Sequence, residues 1–184
     1  MTGKKIIRNA MLLIIGATGG LVFLIYATVK TKTTSLNHYE PFQEWIGQTV
    51  ILKRDAVVFK EKLRSNENSR YPYTLLDSLH PQWRYVQELK TIGDLKEVGK
   101  LLAGSVLKLE TAIQYTNGVS GSSYPTIFGT LTENGHTYKI GYQWGSRAIG
   151  KRVAETGKCW HFNQAPWQAV RDTSFYALPT AKLW

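Results

Sequence analysis

The stretch Met11–Val29 reads MLLIIGATGGLVFLIYATV and carries no charged side chain over 19 residues. Because a helix rises about 1.5 Å per residue, this stretch would span roughly 28 Å, close to the ~30 Å hydrocarbon core of a bilayer. It is longer than the apolar region of about 7–15 residues that is typical of a cleaved signal peptide. The stretch therefore predicts one N-terminal transmembrane helix, retained as a signal anchor.

The bases around this stretch predict its orientation. Three bases precede it and two closely follow it, namely Lys4, Lys5 and Arg8, and then Lys30 and Lys32. The positive-inside rule places the richer side, which also holds the N-terminal amine, in the cytoplasm. We therefore expect residues 1–10 to form a short cytoplasmic tail. The soluble part then lies on the periplasmic side of a bacterial inner (plasma) membrane.

Two glycines in the apolar stretch are candidates for helix pairing. Gly16 and Gly20 stand four residues apart, and small residues at this spacing let two membrane helices approach closely. A homodimer through this face is one expectation. The alternative is that glycine is simply frequent in membrane helices.

After the helix we expect a polar linker over residues 30–35 and one soluble domain over residues 36–184. The chain has 23 Lys and Arg against 13 Asp and Glu, a formal net charge of +10. These bases are dispersed and form no clustered basic helix, so we do not expect nucleic-acid binding. The single cysteine, Cys159, excludes an intramolecular disulfide and a cysteine-rich zinc module.

Alternating and β-branched stretches predict strands in the soluble domain. They comprise Thr49–Lys60, as two short strands broken at Asp55 or one strand with a bulge, one strand in Tyr71–Leu76, one in Leu101–Tyr115, and the pair Thr126–Thr132 and Thr137–Trp144. In Leu101–Tyr115 the odd positions from Leu107 onward are expected to form one continuous apolar face.

The last two strands should form a hairpin. Asn134 and Gly135 between them suit a two-residue turn, because both residue types tolerate positive φ. Phe128 and Leu131 fall on different faces of the first strand, which predicts a bulge near Gly129.

The remaining segments predict helices and connections. The apolar spacing in Leu36–Gly47 favours a short helix that ends at the glycine. His80–Lys90 fits either a loop or a short helix, and Thr91–Gly99 is expected to be a connection. The aromatic-rich tail Cys159–Trp184 should pack back onto the domain.

Together these elements predict a mainly β domain with one or two short helices. Isolated hairpins are only marginally stable, so the strands should close into a small barrel or sandwich. The paired stretches Gly47–Lys53 and Leu102–Leu109 resemble strands of SH3-like barrels. That resemblance implies a small β-barrel and no particular activity.

Candidate chemistry is sparse. Cys159, His161 and Asn163 are residue types of a nucleophilic site, but alternate strand residues lie about 6–7 Å apart, too far for direct contact. We therefore favour an incidental grouping and keep an enzyme using Cys159 as an alternative. The four histidines are scattered without ligand spacing, so neither a metal nor a cofactor is expected.

The best candidate interaction surface in the sequence is a basic, glycine-punctuated segment near the C-terminus. Its bases are Arg147, Lys151, Arg152 and Lys158. We expect a non-enzymatic interaction protein of the bacterial envelope, either a subunit or accessory of a complex or an immunity-type inhibitor. The alternative partner is an anionic lipid or glycan at the membrane surface, which such bases would attract.

Overall fold

The computed structural model describes residues 3–61, 68–133, 135–148, 150 and 157–180. Helix α1 is Gly3–Val29, helix α2 is Trp83–Thr91, and Phe42–Glu44 forms a short 3-10 helix. The strands are β1 (Lys32–Ser35), β2 (Thr49–Ile51), β3 (Ala56–Glu61), β4 (Tyr73–Leu76), β5 (Leu95–Leu101), β6 (Val106–Thr116), β7 (Ser123–Glu133), β8 (His136–Gln143), β9 (Ser146–Arg147) and β10 (Trp160–His161). The protein is thus mainly β with an N-terminal apolar helix.

Helix α1 contains the apolar stretch Met11–Val29, whose mean hydropathy is 2.2. None of this stretch is buried inside the protein. By length and composition the helix is able to cross a membrane. The segment predicted as a linker differs from expectation, because Lys32–Ser35 forms strand β1 and pairs with β6.

Eight strands form one mixed sheet in the order β1-β6-β7-β8-β4-β3-β5, and β2 pairs with the far end of β6. The β4–β8 pair is parallel and the other pairs are antiparallel. Strands β9 and β10 form a separate two-stranded pair, and Trp160 of β10 also bridges to Tyr176 in the tail. The predicted pairing of Gly47–Lys53 with Leu102–Leu109 is confirmed by the β2–β6 ladder.

A tight turn bends this sheet strongly. Strands β5 and β6 are five steps apart in the sheet order, which in a flat sheet would separate them by about 24 Å. The turn between them is closed by Ser105 N donating to Leu102 O at 3.1 Å. Leu52, just after β2, accepts from Gly104 N at 2.8 Å and donates to Ser105 O at 2.9 Å. The two ends of the sheet therefore curve toward each other.

Within the described residues, however, no strand ladder joins β5 to β2 or β1, so the sheet is not closed. The predicted barrel or sandwich is not confirmed, and the SH3-like resemblance stays a prediction. What the structure establishes is one large curved sheet with its core on the concave side.

The concave side is filled by the C-terminal tail, as predicted from its aromatic content. Trp160, Phe162 and Trp167 are buried there together with Phe42 and Trp144. The rings pack edge to face or at a tilt: Phe42 lies 5.5 Å from Trp144 and 5.4 Å from Phe162, measured between ring centroids. Such contacts add to the burial of large apolar areas and give the core a fixed geometry.

Strand β6 does not keep one apolar face, which corrects our prediction. Leu107 and Leu109 point into the concave core, but the register shifts between Leu109 and Thr111. Beyond this bulge Ile113 and Tyr115 belong to a cluster on the convex side. An extra residue in a strand reverses which side the following side chains face, and here both sides of the sheet are covered.

The bulge predicted near Gly129 lies on the neighbouring strand. Gly129 pairs with Leu109 at the shift, whereas β7 itself runs in regular register with β8. Phe128 is buried on the convex side and Leu131 on the concave side, so β7 needs no bulge to bury both. The hairpin itself is confirmed, with Glu133 paired to His136 across the turn.

Four further segments resolve as follows. Thr49–Lys60 contains two strands, the first of its two predicted alternatives, while His80–Lys90 contributes most of helix α2. Leu36–Gly47 forms only the short 3-10 helix rather than a regular helix. The connection predicted at Thr91–Gly99 is wrong, because edge strand β5 begins at Leu95. The prediction rested on Gly93 and Gly99, but Gly99 lies within the strand and pairs with Val58 of β3.

The close approach of β6 and β7 yields a stability prediction. A Cβ built on Gly129 would overlap the carbonyl oxygen of Lys108 and lie 3.1 Å from a methyl carbon of Leu107. We expect Gly129→Ala to lower the free energy of unfolding by about 2 kcal/mol, since an overpacked core must shift its backbone. Urea unfolding of the detergent-solubilised full chain measures this. Gly150→Ala is the control, because no described atom lies within 4 Å of its Cβ. Equal stability of the two variants would contradict the packing argument.

Candidate functional site

The convex side of the sheet carries a groove between two clusters. At one end α2 covers Phe59, Leu76 and Leu95. At the other end Tyr71, Tyr115 and Phe128 pack together. Between them lies a cavity of about 290 Å³, which we call the convex groove. A depression of this kind, with aromatic walls and a few polar groups, is the first place to look for a ligand.

Small side chains form the floor of the convex groove. Thr74, Thr126 and Gly141 come from β4, β7 and β8. A Cβ on Gly141 would lie 2.9 Å from a ring carbon of Phe128. Glycine at this position therefore lets that aromatic ring pack across the strand, and the groove keeps its depth.

Aromatic and amide side chains form its walls. The rings of Tyr115 and Tyr124 are stacked with centroids 5.6 Å apart, and Tyr85 of α2 stands exposed on the opposite side. Between them the Gln82 amide nitrogen donates to the Gln143 side-chain oxygen at 2.9 Å. The convex groove thus presents uncharged hydrogen-bonding groups beside aromatic rings.

His80 holds this pair of glutamines in place through their backbones. Its Nδ1 accepts a hydrogen bond from Gln82 N at 3.1 Å, so its Nε2 carries the proton and donates to Gln143 O at 2.7 Å. The ring also packs against Tyr142 with centroids 5.0 Å apart. Burial lowers the pKa of His80, which keeps the imidazole neutral. His80 is therefore a positioning residue of the convex groove.

A buried ion pair lies next to His80. Arg54 donates from Nε and Nη2 to one oxygen of Asp77 at 3.0 and 2.9 Å, and the Asp77 side chain has no solvent exposure. Tyr142 donates to the other carboxylate oxygen at 3.2 Å and accepts from Asn163 at 2.8 Å. Burial, and then the charge of Asp77, raise the pKa of Tyr142, so the phenol stays protonated.

This network is suited to holding elements together. Arg54 also donates to the backbone oxygen of Gln164 at 2.8 Å, so one guanidinium joins the β2–β3 loop, the end of β4 and the tail. Because Asp77 is fully buried and bonded on both oxygens, it offers no free base to a solute. The network was missed in the sequence because its members are widely separated along the chain.

The predicted basic surface is only partly described. The guanidinium of Arg147, on β9, lies 5.4 Å from the centroid of the Trp160 ring, a cation–π contact. Lys158 is exposed, whereas Lys151 and Arg152 lie outside the described residues. Arg147 is thus engaged with the tail. The structure does not show the four bases as one surface.

The other predicted residues stay separate from the convex groove. Gly16 and Gly20 are exposed on α1, and no described atom lies within 4 Å of a Cβ built on either. Cys159 is buried in the concave core, and His161 packs on Phe175 with ring centroids 5.9 Å apart. Helix pairing and an enzyme using Cys159 both stay predictions. Across the described part of the chain, no three His, Cys, Asp or Glu residues are grouped to hold a metal ion.

A second surface feature lies at the far end of β6. Ile51 and Val106 are paired across β2 and β6 and are 51% and 49% exposed, while Leu102 in the adjoining turn is 65% exposed. We call these three residues the distal patch. Val106 lies ten positions before Thr116, which pairs with Lys32 just after α1. That spacing corresponds to about 30 Å along the strand.

Comparison of the chain with protein-family models, with curated protein sequences and with solved structures found no match in any of the three. No family is therefore assigned. The convex groove, the distal patch and the apolar helix are the features from which a function is proposed below.

The neutral state of His80 gives a pH prediction. Its pKa in the folded protein lies below the ordinary value of 6.5, so the unfolded chain binds the proton first as the pH falls. The stabilising contribution is therefore present above pH 6.5 and is lost below it. Between pH 7.5 and 5.5 we expect the free energy of unfolding to fall by at most about 1.4 kcal/mol through this group.

Urea unfolding of the full chain in detergent at the two pH values tests this. His80→Gln should flatten the pH dependence, whereas the matched control His136→Gln should not, because His136 is exposed in the hairpin. If both variants keep the dependence of the unchanged protein, another group is responsible and the assignment to His80 is wrong.

Proposed function

We propose that this chain is a single-pass, non-enzymatic interaction protein of the bacterial envelope. In this proposal α1 crosses the inner membrane with the N-terminus in the cytoplasm, and the β domain lies in the periplasm. The domain serves as a subunit or accessory of an envelope complex, or as an immunity-type inhibitor. The observation that carries the proposal is the distal patch.

A cross-strand pair of exposed aliphatic side chains with a third in the adjoining turn favours a contact site. Ile51, Leu102 and Val106 are each about half exposed or more, and contiguous exposed apolar groups commonly mark protein interfaces. Three exposed bases lie near the patch: Lys53 follows β2, Lys100 lies two residues before Leu102, and Lys108 is two residues beyond Val106 on the same strand face. One exposed acid is also close, because the Asp55 carboxylate accepts from Ala103 N at 2.8 Å. This chemistry fits a protein partner with an apolar centre and an acidic rim.

The position of the patch also favours a protein over a lipid. It lies about 30 Å along β6 from the residue that pairs with Lys32, just after the end of α1. With α1 in the bilayer and β6 running away from the bilayer surface, the patch would stand well above the headgroups. A partner would therefore reach it from the aqueous compartment.

Photo-crosslinking tests this surface. A photoreactive residue at Leu102 should give one discrete protein adduct in cells, because the partner covers that side chain. The same residue at Val170 is the matched control, since Val170 is an apolar residue that is 79% exposed elsewhere. Leu102→Asp should weaken the complex at least tenfold, because a charge would be left against an apolar surface. Identical products at both positions, or none at Leu102, would contradict a role for the distal patch.

The orientation is tested with a cysteine at the same position. Leu102→Cys should react with a membrane-impermeant thiol reagent in cells whose outer membrane has been made permeable, while the buried native Cys159 should react slowly. Labelling that requires lysis of the inner membrane would place the domain in the cytoplasm and overturn the proposed location.

The convex groove supports a second candidate, in which the same anchored domain binds a sugar ring of an envelope glycan. Sugars bind by stacking their C–H faces on aromatic rings and by hydrogen bonding their hydroxyls. Tyr85 and Tyr124 supply such rings, and Gln82, Gln143 and Thr126 supply hydrogen-bonding groups. Glu61 is the acid in the described lining, which contains no base, so the groove favours a neutral sugar over an anion.

Calorimetry with soluble envelope glycan fragments tests this candidate. Tyr85→Ala should weaken binding about tenfold or more, because it removes one stacking surface. Tyr39→Ala is the control, since Tyr39 is an exposed tyrosine outside the groove. Affinity that falls steeply with salt, or that is the same in both variants, would argue against a sugar in the convex groove.

A further inference from the structure

The loop between β6 and β7 packs directly on the end of α1. A Cβ built on Gly118 would overlap the carbonyl oxygen of Thr28 and lie 2.7 Å from that of Lys30. Glycine is thus required for the loop to approach the helix backbone. The contact falls where the apolar stretch ends, at Val29.

Strand pairing holds the base of this loop next to the end of α1. Lys32, only three residues after Val29, pairs with Thr116 at the end of β6, and Thr116 pairs with Ser123 at the start of β7. The hydroxyls of Thr116 and Ser123 are also hydrogen bonded at 2.8 Å. The base of the loop is therefore tied to the chain that leaves the helix.

The loop is held in one shape by its own hydrogen bonds. The side-chain oxygen of Asn117 accepts from the backbone nitrogens of Val119 and Ser120 at 2.9 Å each. The backbone oxygen of Asn117 accepts from Gly121 N, also at 2.9 Å. This is the arrangement of an Asx turn, which orders a loop without packing its tip. Val119 is accordingly presented with 73% of its surface exposed.

An exposed valine at this place suits a lipid surface. Val119 is one residue from Gly118, and successive Cα atoms are 3.8 Å apart. The polar layer of a bilayer is roughly 6 Å thick on each side of the hydrocarbon core. If α1 spans to Val29, the valine lies at the depth of the lipid headgroups, where its apolar side chain is better placed than in water.

The end of α1 carries a matching feature. Tyr26 is exposed one turn before the helix ends, and the Lys30 amine lies 5.7 Å from the centroid of its ring. Tyrosine and lysine at a helix end are typical of the membrane–water interface. The loop and this last turn would therefore lie in the same layer.

We propose that residues 117–122 form a membrane-contacting loop that places Val119 among the lipid headgroups and acyl-chain ends, and so fixes the tilt of the β domain on the bilayer. The inference rests on the proposed function in one respect, that α1 is a membrane anchor. It adds a second, peripheral point of attachment next to the span.

Spin labelling of the full chain in vesicles of phosphatidylcholine and phosphatidylglycerol tests the proposal. Nitroxides are attached at Val119→Cys, at Val170→Cys as the water-exposed control, and at Ala17→Cys to report the span. The unsubstituted protein shows how far the buried Cys159 reacts. Collision rates with oxygen, which enriches in lipid, and with a water-soluble nickel chelate are then compared.

We expect the oxygen-to-nickel ratio at residue 119 to be several-fold higher than at residue 170 and lower than at residue 17. Equal ratios at 119 and 170, with residue 17 in lipid, would overturn the loop contact and leave the anchor intact. A water-exposed residue 17 would overturn the anchor and the loop contact together. Dipolar broadening at residue 119 would assign the loop to contact with a second copy of the chain and would likewise overturn the proposal.

Discussion

The turn at residues 102–105 joins strands that lie five steps apart in the hydrogen-bonded order, and the rest of the domain depends on it. A chain of this length cannot bridge the roughly 24 Å of a flat sheet while closing a turn, so the sheet has to curve. Curvature creates a concave side that must be filled, because voids forfeit packing contacts. The tail fills it with Trp160, Phe162 and Trp167. Since these residues follow the last large strand, the core is complete only when the C-terminal part of the chain has docked.

The Arg54–Asp77 pair joins the sheet to this docked tail. A buried ion pair is weak evidence for stability, since the desolvation of both charges opposes their attraction. The loss of one partner, however, leaves the other charge buried without compensation, which typically costs about 3–5 kcal/mol for a fully buried pair. The pair therefore contributes to the specificity of one arrangement of sheet and tail. Arg54 is partly exposed, so the cost here would be lower. The same region contains His80, which positions the backbones of two glutamines that line the convex groove. The shape of the convex groove thus depends on how the tail docks on the sheet.

Features that depend on local chemistry could be predicted from the sequence. The apolar stretch before Lys30, the hairpin at Gly135 and the break at Asp55 are each encoded within a few residues. Features that depend on distant pairing could not. The side chains of β6 change faces at the bulge, where the strand pairs with Gly129 of its neighbour. Strand β5 contains Gly99, which made its stretch resemble a connection until the pairing with β3 was known. The convex groove was missed for the same reason, because its floor comes from three strands that only the sheet order brings together.

The close connection between α1 and the sheet limits how the domain can act. A flexible linker would let the domain sample many orientations, but only two residues separate Val29 from β1. Gly118 adds a second contact with the end of the helix. With α1 in a membrane, these contacts would narrow the range of heights that the distal patch can take above the bilayer. Partners anchored in the same membrane would meet the patch at a raised effective concentration if their own contact sites stood at that height. A short, rigid connection therefore favours partners of matching height, and this selection needs no additional contact at the patch itself.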